Sequence, residues 1–327
     1  MDQTETAQAL WSLINSHALA RCVHVIAETA VSDALEDIPM PAAELARRCS
    51  LDADALHRIM RLLATQGVFA LKEGLYSHTA ASRLLRSDHP QSLRSFARMI
   101  GMPAVWNGFT QLEVVAHTGK PPLDMAGLVR YLSEHPSEAS LFNQAMVAKS
   151  AAAIPVIVGS YDFSRCGVIA DIGGGHGHLL HAILEHNPAS SGILFELPHV
   201  IADVSGRASP RVRLVSGNFF SSDIPLADVY VLMEVIHDWA DADAARILMA
   251  VRSGASRLSR LLIIESLIAD TPGLHPGKLL DVIMLAVTGG RERTATECKE
   301  LLRGAGFELA RILPTASPYS IVEAVAS

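Results

Sequence analysis

Apolar residues recur along this chain with two different periods, and the change of period divides it near residue 100. In the first stretch the spacing is helical: Leu10, Leu13, Ile14 and Ala18, then Val25, Ile26 and Ala30, over residues 7–35. Pro41-Ala-Ala-Glu-Leu-Ala and the run from Leu51 to Leu63 predict two short helices joined by a tight turn, with Asp52 placed to help start the second. Val68 to Leu71 and Leu75 to Ser77, parted by Lys72-Glu73-Gly74, predict a small hairpin. Two helices, a turn and a hairpin amount to a winged-helix pattern, and 1–100 is expected to be one mainly helical domain.

From residue 101 a helical connector runs through Trp106, Leu112 and Val115 to a turn at Thr118-Gly-Lys-Pro-Pro, and one helix is expected over about 134–158. Beyond it, apolar runs at 168–172, 193–196, 211–215, 228–233 and 261–265 alternate with helical stretches, which predicts a parallel sheet covered on both faces. Phe307 to Leu313 and Tyr319 to Val325 are parted only by Pro-Thr-Ala-Ser-Pro, a link short enough for antiparallel strands alone. The expected second domain, 101–327, is therefore α/β: a Rossmann-like, mostly parallel sheet ending in an antiparallel hairpin.

Candidate chemistry concentrates where strands end. Val168 to Leu179 reads VIADIGGGHGHL, an apolar strand delivering Asp171 to a glycine-rich turn with a helix beyond. A dinucleotide-binding turn reads G-x-G-x-x-G; counted from Gly173, its last glycine would be residue 178, which is His178. The glycines fit G-x-G-x-G at Gly173, Gly175 and Gly177 instead, with Gly174 between them. A carboxylate facing such a turn suits a ligand with a positive end better than a diphosphate, and S-adenosylmethionine, with its sulfonium and amino group, is one. Glu196 closes the next apolar run, where an acid commonly holds a ribose diol; the plainer reading is a solvated carboxylate at a strand end.

The fourth strand ends near Met233 and is followed by Glu234-Val-Ile-His237-Asp238-Trp239. Ligands of open α/β sheets sit beyond the carboxyl ends of the strands, so His237 is the side chain there suited to proton transfer near neutral pH. A phenol near ~10 lies three to four units above an imidazole near ~6.5, so proton removal concerted with attack suffices. With 14 histidines in the chain, position and not residue type singles out His237. Asp238 reads as an N-cap for a helix from about 241. Glu265, at the tip of the fifth strand, and Glu292, within Gly289-Gly-Arg-Glu-Arg-Thr294, are candidates to orient the imidazole; for Glu292 an ion pair with Arg291 or Arg293 is an equal alternative.

Bulk properties remove other classes. A length of 327 residues suggests two domains. A net charge of −7 argues against broad nucleic-acid binding, and residues 41–90 carry seven basic against five acidic side chains, too sparse a basic face for a DNA-binding winged helix. Cys22, Cys49, Cys166 and Cys298 lie far apart with no C-x-x-C pair, which predicts neither a zinc site nor a disulfide framework. The amino terminus lacks a basic start and apolar run, and no apolar stretch reaches membrane-spanning length. A cytoplasmic location is expected, with no membrane or nucleic-acid partner.

Several co-ordered segments also resemble one family. FNQAM at 142–146, DIGGGHGHL at 171–179, FELPHVI at 195–201, GNFF at 217–220, IHDWADADA at 236–244, GGRERT at 289–294 and AGF at 305–307 are similar to the caffeate/hydroxyneurosporene type of small-molecule O-methyltransferase. The resemblance implies a class I methyltransferase fold behind a winged-helix dimerisation domain. It further implies an S-adenosylmethionine cofactor, an intertwined homodimer, and O-methylation of a small aromatic metabolite.

Position by position, His237 corresponds to the base and Glu265 and Glu292 to its flanking carboxylates. Asp171, Gly173, Gly174, Gly175 and Glu196 correspond to the turn and ribose sites, Asn218 and Phe219 to the adenine site, and Met233 to a position near the adenosine. Phe142, Met146, Trp106 and Met284 correspond to an apolar acceptor slot, and Ser150 to a contact with the cofactor's carboxylate. Asn218 and Met233 depart from the family's usual aspartate and lysine. Two other functions compete: use of the cofactor's charge without methyl transfer, as in hydroxylation or decarboxylation, and transcriptional regulation through the winged helix.

Overall fold

A computed structural model describes residues 2–206, 208–269 and 271–327. It forms two compact units, one of Met1–Trp106 with His135–Ser150, the other of Asn107–Glu134 with Ala151–Ser327. A single division near residue 100 thus leaves out His135–Ser150, whose Ser140, Leu141 and Gln144 line a cavity with Arg21 and His24 of the first unit. Periodicity marks a helix but not the body it joins.

In the first unit, helices Ala42–Cys49 and Ala53–Thr65 pack beside an antiparallel sheet of β1 (Met40–Pro41), β2 (Phe69–Lys72) and β3 (Leu75–His78), in the order β1-β3-β2. The hairpin is as its turn chemistry predicts; the short third strand had no sequence signal. Asp52 Oδ1 accepts from the Ala55 amide at 2.8 Å and starts the second helix. Leu45, Leu56, Met60, Leu63, Phe69 and Tyr76 make the core, each large side chain stabilising by about 1.5–3 kcal/mol on burial. Helix Gln3–Ile14 buries none of its residues and leaves Leu10, Trp11, Leu13 and Ile14 more than half exposed.

The helix expected over 134–158 is two, Pro136–Ala151 and Ile154–Ser160. Pro155 explains the break: it lacks an N–H and crowds the preceding turn, and it sits instead in the first turn of the second helix. Among the described residues no single helix is long and apolar enough to cross a membrane, and only this pair passes such a test jointly.

The second unit is built on seven strands: β4 (Val168–Ile172), β5 (Ser191–Glu196), β6 (Val212–Ser216), β7 (Val229–Met233), β8 (Arg260–Glu265), β9 (Phe307–Pro314) and β10 (Ser320–Ala326). Their order is β6-β5-β4-β7-β8-β10-β9, parallel except that β10 runs antiparallel to both β8 and β9. Alternate residues feed two cores: Ile169, Val231, Leu262 and Ile321 on one face, Ala170, Leu232, Ile263 and Val322 on the other. That period of two, with both faces covered, is why the strands read as unbroken apolar runs.

Candidate active site

The chain leaves β4 toward β5 on one side and returns to β7 on the other, so the carboxyl ends of β4 and β7 border the topological switch point. At the end of β4 the Gly173 amide donates to Phe195 O at 2.9 Å, and Gly173, Gly175 and Gly177 take φ of 71°, 56° and 75°. Side-chain-bearing residues rarely adopt that region. Gly174 is required for another reason: a Cβ there would lie 2.2 Å from the Asp171 carboxyl.

Asp171 is therefore packed directly under the turn. It is 2% exposed, and neither carboxyl oxygen meets a donor in bonding geometry. Burial, reinforced by the charge of Glu196 and only partly offset by the Leu180 amide, raises it to about 7. Glu196 Oε2 accepts from the Leu197 amide, and burial raises this carboxyl too. Two buried acids without a described cation beside them fit a positively charged ligand, which is the test that S-adenosylmethionine has to meet.

Around this turn the structure gathers part of the expected cofactor set. Gly173 abuts Val235, two residues before His237, and a Phe219 ring carbon lies 3.9 Å from where a Gly173 Cβ would stand. Phe219 also meets Phe220 and Trp239 edge-on. Asn218 is exposed, and its Oδ1 accepts from the Phe220 amide at 2.9 Å, so one lone pair of the oxygen expected at the adenine is used within the loop. Met233 is half-buried at the tip of β7, against the core.

His237 sits in a 3₁₀ turn, Ile236–Asp238, immediately beyond β7, and is 4% exposed. Its amide donates to Glu265 Oε1 at 2.9 Å and its Nδ1 lies 2.6 Å from Glu292 Oε1. The carboxylate accepts, so Nδ1 carries a proton and Nε2 is the free acceptor of the neutral ring. Burial by itself lowers this imidazole, but Asp238, the Glu292 hydrogen bond and the charges of Glu292 and Glu265 outweigh it and raise it to about 9. Burial raises Glu265 to about 7 despite the pull of His237.

Two local expectations change here. Asp238 caps no helix: the helix Asp241–Gly254 starts after Ala240 without a side-chain cap, and Asp238 Oδ1 instead lies 3.7 Å from His237 Nε2. The alternative ion pair for Glu292 also falls away. Arg291 pairs with Asp241 and Glu297, and Arg293 with Asp241.

The sequence offers Arg293 only as an ion-pair partner for Glu292, and the structure gives it another role. Its buried guanidinium donates to Ile236 O, Trp239 O and Asp241 Oδ1, clamping the loop that carries His237. Gly290 carries no role in the sequence beyond its place in the 289–294 segment, yet a Cβ there would stand 2.0 Å from His237 O. Two arginines flanking Glu292 were visible as charges, but only the fold shows that they grip the facing loop.

The expected acceptor residues divide between the units. Trp106, Phe142 and Met146 belong to the first, where the Trp106 ring meets His24 edge-on at 5.3 Å and carries Arg21 over its face at 5.5 Å. Ser150 Oγ donates to Met146 O at 3.0 Å within its own helix. Met284 belongs to the second unit and is buried beside Thr288.

A seven-stranded sheet in this order, with a glycine turn after its first strand and an antiparallel last pair, defines a methyltransferase of the class I fold. Residues 120–308 match the family model described as the O-methyltransferase domain, and 11–88 match the O-methyltransferase dimerisation domain. The chain belongs to this O-methyltransferase family. It is 35% identical to the phenazine O-methyltransferase of Lysobacter antibioticus, over 96% of this chain and 95% of that one. It is 34% identical to the mitomycin biosynthesis 6-O-methyltransferase of Streptomyces lavendulae, over 93% and 90%. Among solved structures, an O-methyltransferase of neocarzinostatin biosynthesis in complex with S-adenosylmethionine and 2-hydroxy-5-methyl naphthoic acid superposes with a TM-score of 0.78 at 31% identity, covering 95% of this chain and 96% of that one.

Proposed function

We propose that this enzyme moves the methyl group of S-adenosylmethionine to a hydroxyl on a small aromatic acceptor, with His237 as general base. The observation that carries the reading is the imidazole held by two glutamates beyond β7, Nδ1 on Glu292 and amide on Glu265. When bound, S-adenosylmethionine supplies an electrophilic methyl on a sulfonium, which leaves as neutral S-adenosylhomocysteine. The acceptor oxygen would take that methyl group with loss of its proton, which His237 Nε2 would accept.

Glu292 would fix the tautomer, and Glu292, Glu265 and Asp238 would stabilise the imidazolium that results. The acids around the ring raise His237 to about 9, which narrows its gap to a phenol near ~10 while making the neutral, proton-accepting ring the minor form near pH 7. Asp171, Gly173, Gly174, Gly175 and Glu196 would hold the cofactor's methionyl and ribose parts, and Asn218, Phe219 and Met233 its adenosine. Phe142, Met146, Trp106 and Met284 would supply the apolar acceptor slot.

The aromatic acceptor rests on the relatives: one is named a phenazine O-methyltransferase, and a solved neighbour carries a naphthoic acid. The dimerisation-domain match and the exposed Leu10, Trp11, Leu13 and Ile14 support a homodimer through the first unit. Four free cysteines support a reducing, cytoplasmic setting. Regulation through the winged helix finds little support, because Arg47, Arg48, Arg58, Arg83 and Arg86 are each already paired with an acid.

Incubation with S-adenosylmethionine and a panel of aromatic hydroxy compounds, read by mass spectrometry, tests the reading. It expects a one-methylene mass gain with one S-adenosylhomocysteine per product. Cofactor-dependent conversion of an acceptor without that gain would replace it with chemistry that uses the cofactor's charge alone.

A further inference from the structure

Glu292 can hold His237 only if its own backbone is held, because a side chain's direction follows the φ and ψ of its residue. The loop around it is tied at several points. The Gly289 amide donates to Met284 O at 2.9 Å and the Gly290 amide to Thr288 Oγ1 at 3.2 Å. The Arg291 amide donates to His237 O at 2.8 Å, and Arg293 O accepts from the Ile268 amide at 3.0 Å. Residue 292 itself is tied by a side chain: its amide donates to Asp281 Oδ1 at 2.9 Å.

Asp281 stands where local preference disfavours it. It lies mid-way along the helix Pro276–Val287, PGKLLDVIMLAV, where Lys278 is the only other charged residue. Aspartate is among the poorer helix formers, since its short carboxyl competes for backbone groups. Lys278 Nζ donates to Thr271 O and Gly273 O, at 2.7 and 3.1 Å. The half-buried Asp281 reaches the loop instead. Met284 follows three residues on, a spacing that places both on one side of the helix.

We propose that Asp281 is a positioning residue of the reaction: by accepting from the Glu292 amide it aims the Glu292 carboxylate at His237 Nδ1, and it ties that pair to the helix bearing Met284. Asp281 takes no proton itself and acts through Glu292. What it supplies is an acceptor, so asparagine, which keeps an oxygen at Oδ1, should serve and alanine should not. The role rests on the reading of His237 as base, but the contact it governs exists in the resting protein and is testable without turnover.

Proton NMR of the full-length, cofactor-free protein tests it. A proton held between His237 Nδ1 and the buried Glu292 carboxylate, 2.6 Å apart, should resonate far downfield of ordinary amides. Glu292→Gln removes the carboxylate and so assigns the signal. Asp281→Ala should abolish that signal and speed hydrogen exchange at the Glu292 amide about tenfold or more, whereas Asp281→Asn should keep the signal and an exchange rate within about threefold of the parent. If Asp281→Ala does not fold, Asp281→Leu, which keeps the bulk and removes the acceptor, carries the same expectations. A signal unmoved in the variant without an acceptor would make Asp281 a loop anchor alone, even where exchange quickens. A signal lost in Asp281→Asn as well would show that charge, and not the accepted amide, sets the contact. Either result overturns the proposal, and neither bears on whether His237 takes the acceptor's proton.

Discussion

Replacing Glu292 by Gln removes one charge and keeps the shape. In the enzyme the Glu292 side chain is fully buried, 2.6 Å from His237 Nδ1. A hydrogen bond to a charged partner contributes about 1.5–3 kcal/mol, and one pKa unit is about 1.4 kcal/mol. His237 should therefore fall from about 9 by roughly one to two units, toward 7–8, still held up by Asp238 and Glu265. Nitrogen-15 NMR titration of the His237 ring in cofactor-free protein reads this directly.

Stability carries the same signature. A histidine raised above its unfolded value of about 6.5 contributes stability that is complete below that pH and lost as pH climbs through 9. Glu292→Gln should then cost about 1.5–3 kcal/mol more at pH 6 than at pH 10, measured by urea unfolding. An unchanged titration near 9, or an equal loss of stability at both pH values, would refute the reasoning that the carboxylate sets this imidazole.

Asp171→Asn removes a carboxyl that burial raises to about 7, so its ionised form disfavours folding progressively as pH rises from about 4 through 7. The variant should melt higher than the parent at pH 8, by more than at pH 5, while binding S-adenosylmethionine more weakly; a lower melting point at pH 8 would contradict this. Gly290→Ala drives a methyl group into His237 O and should lower turnover about a hundredfold with cofactor affinity retained, checked by steady-state kinetics beside calorimetry. Arg293→Met frees three acceptors on the loop 236–241 and should destabilise by about 3–5 kcal/mol, seen in denaturant midpoints. Trp11→Glu places a charge on the exposed apolar face of the first helix and should shift the protein toward monomer in light scattering.

Strand ends were the legible part of this chain. Asp171, Glu196, Met233 and Glu265 close apolar runs, and alternation with helices fixes those runs as parallel strands, so their tips fall on one edge of the sheet. His237 follows from the same rule. Contacts made by loops were not legible. Charge alone leaves Glu292 between Arg291, Arg293 and His237, and the choice was settled by the close backbone approach at Gly290 and the clamp of Arg293 on Ile236 and Trp239. Asp238 was misread for a related reason: an acid three residues before a helix has the composition of a cap, but the 3₁₀ turn at 236–238 carries it to His237 Nε2 instead. Pro155 is visible in the sequence, yet apolar spacing continues across it and hides the break.

The most direct test concerns the ring beyond β7. With a methyl acceptor in hand, His237→Ala should abolish product formation while calorimetry finds S-adenosylmethionine bound within about threefold of the parent's affinity, since in the proposed reaction the imidazole would act on the acceptor's proton alone. Methylated product appearing at the parent's rate would show that another group, or none, takes that proton.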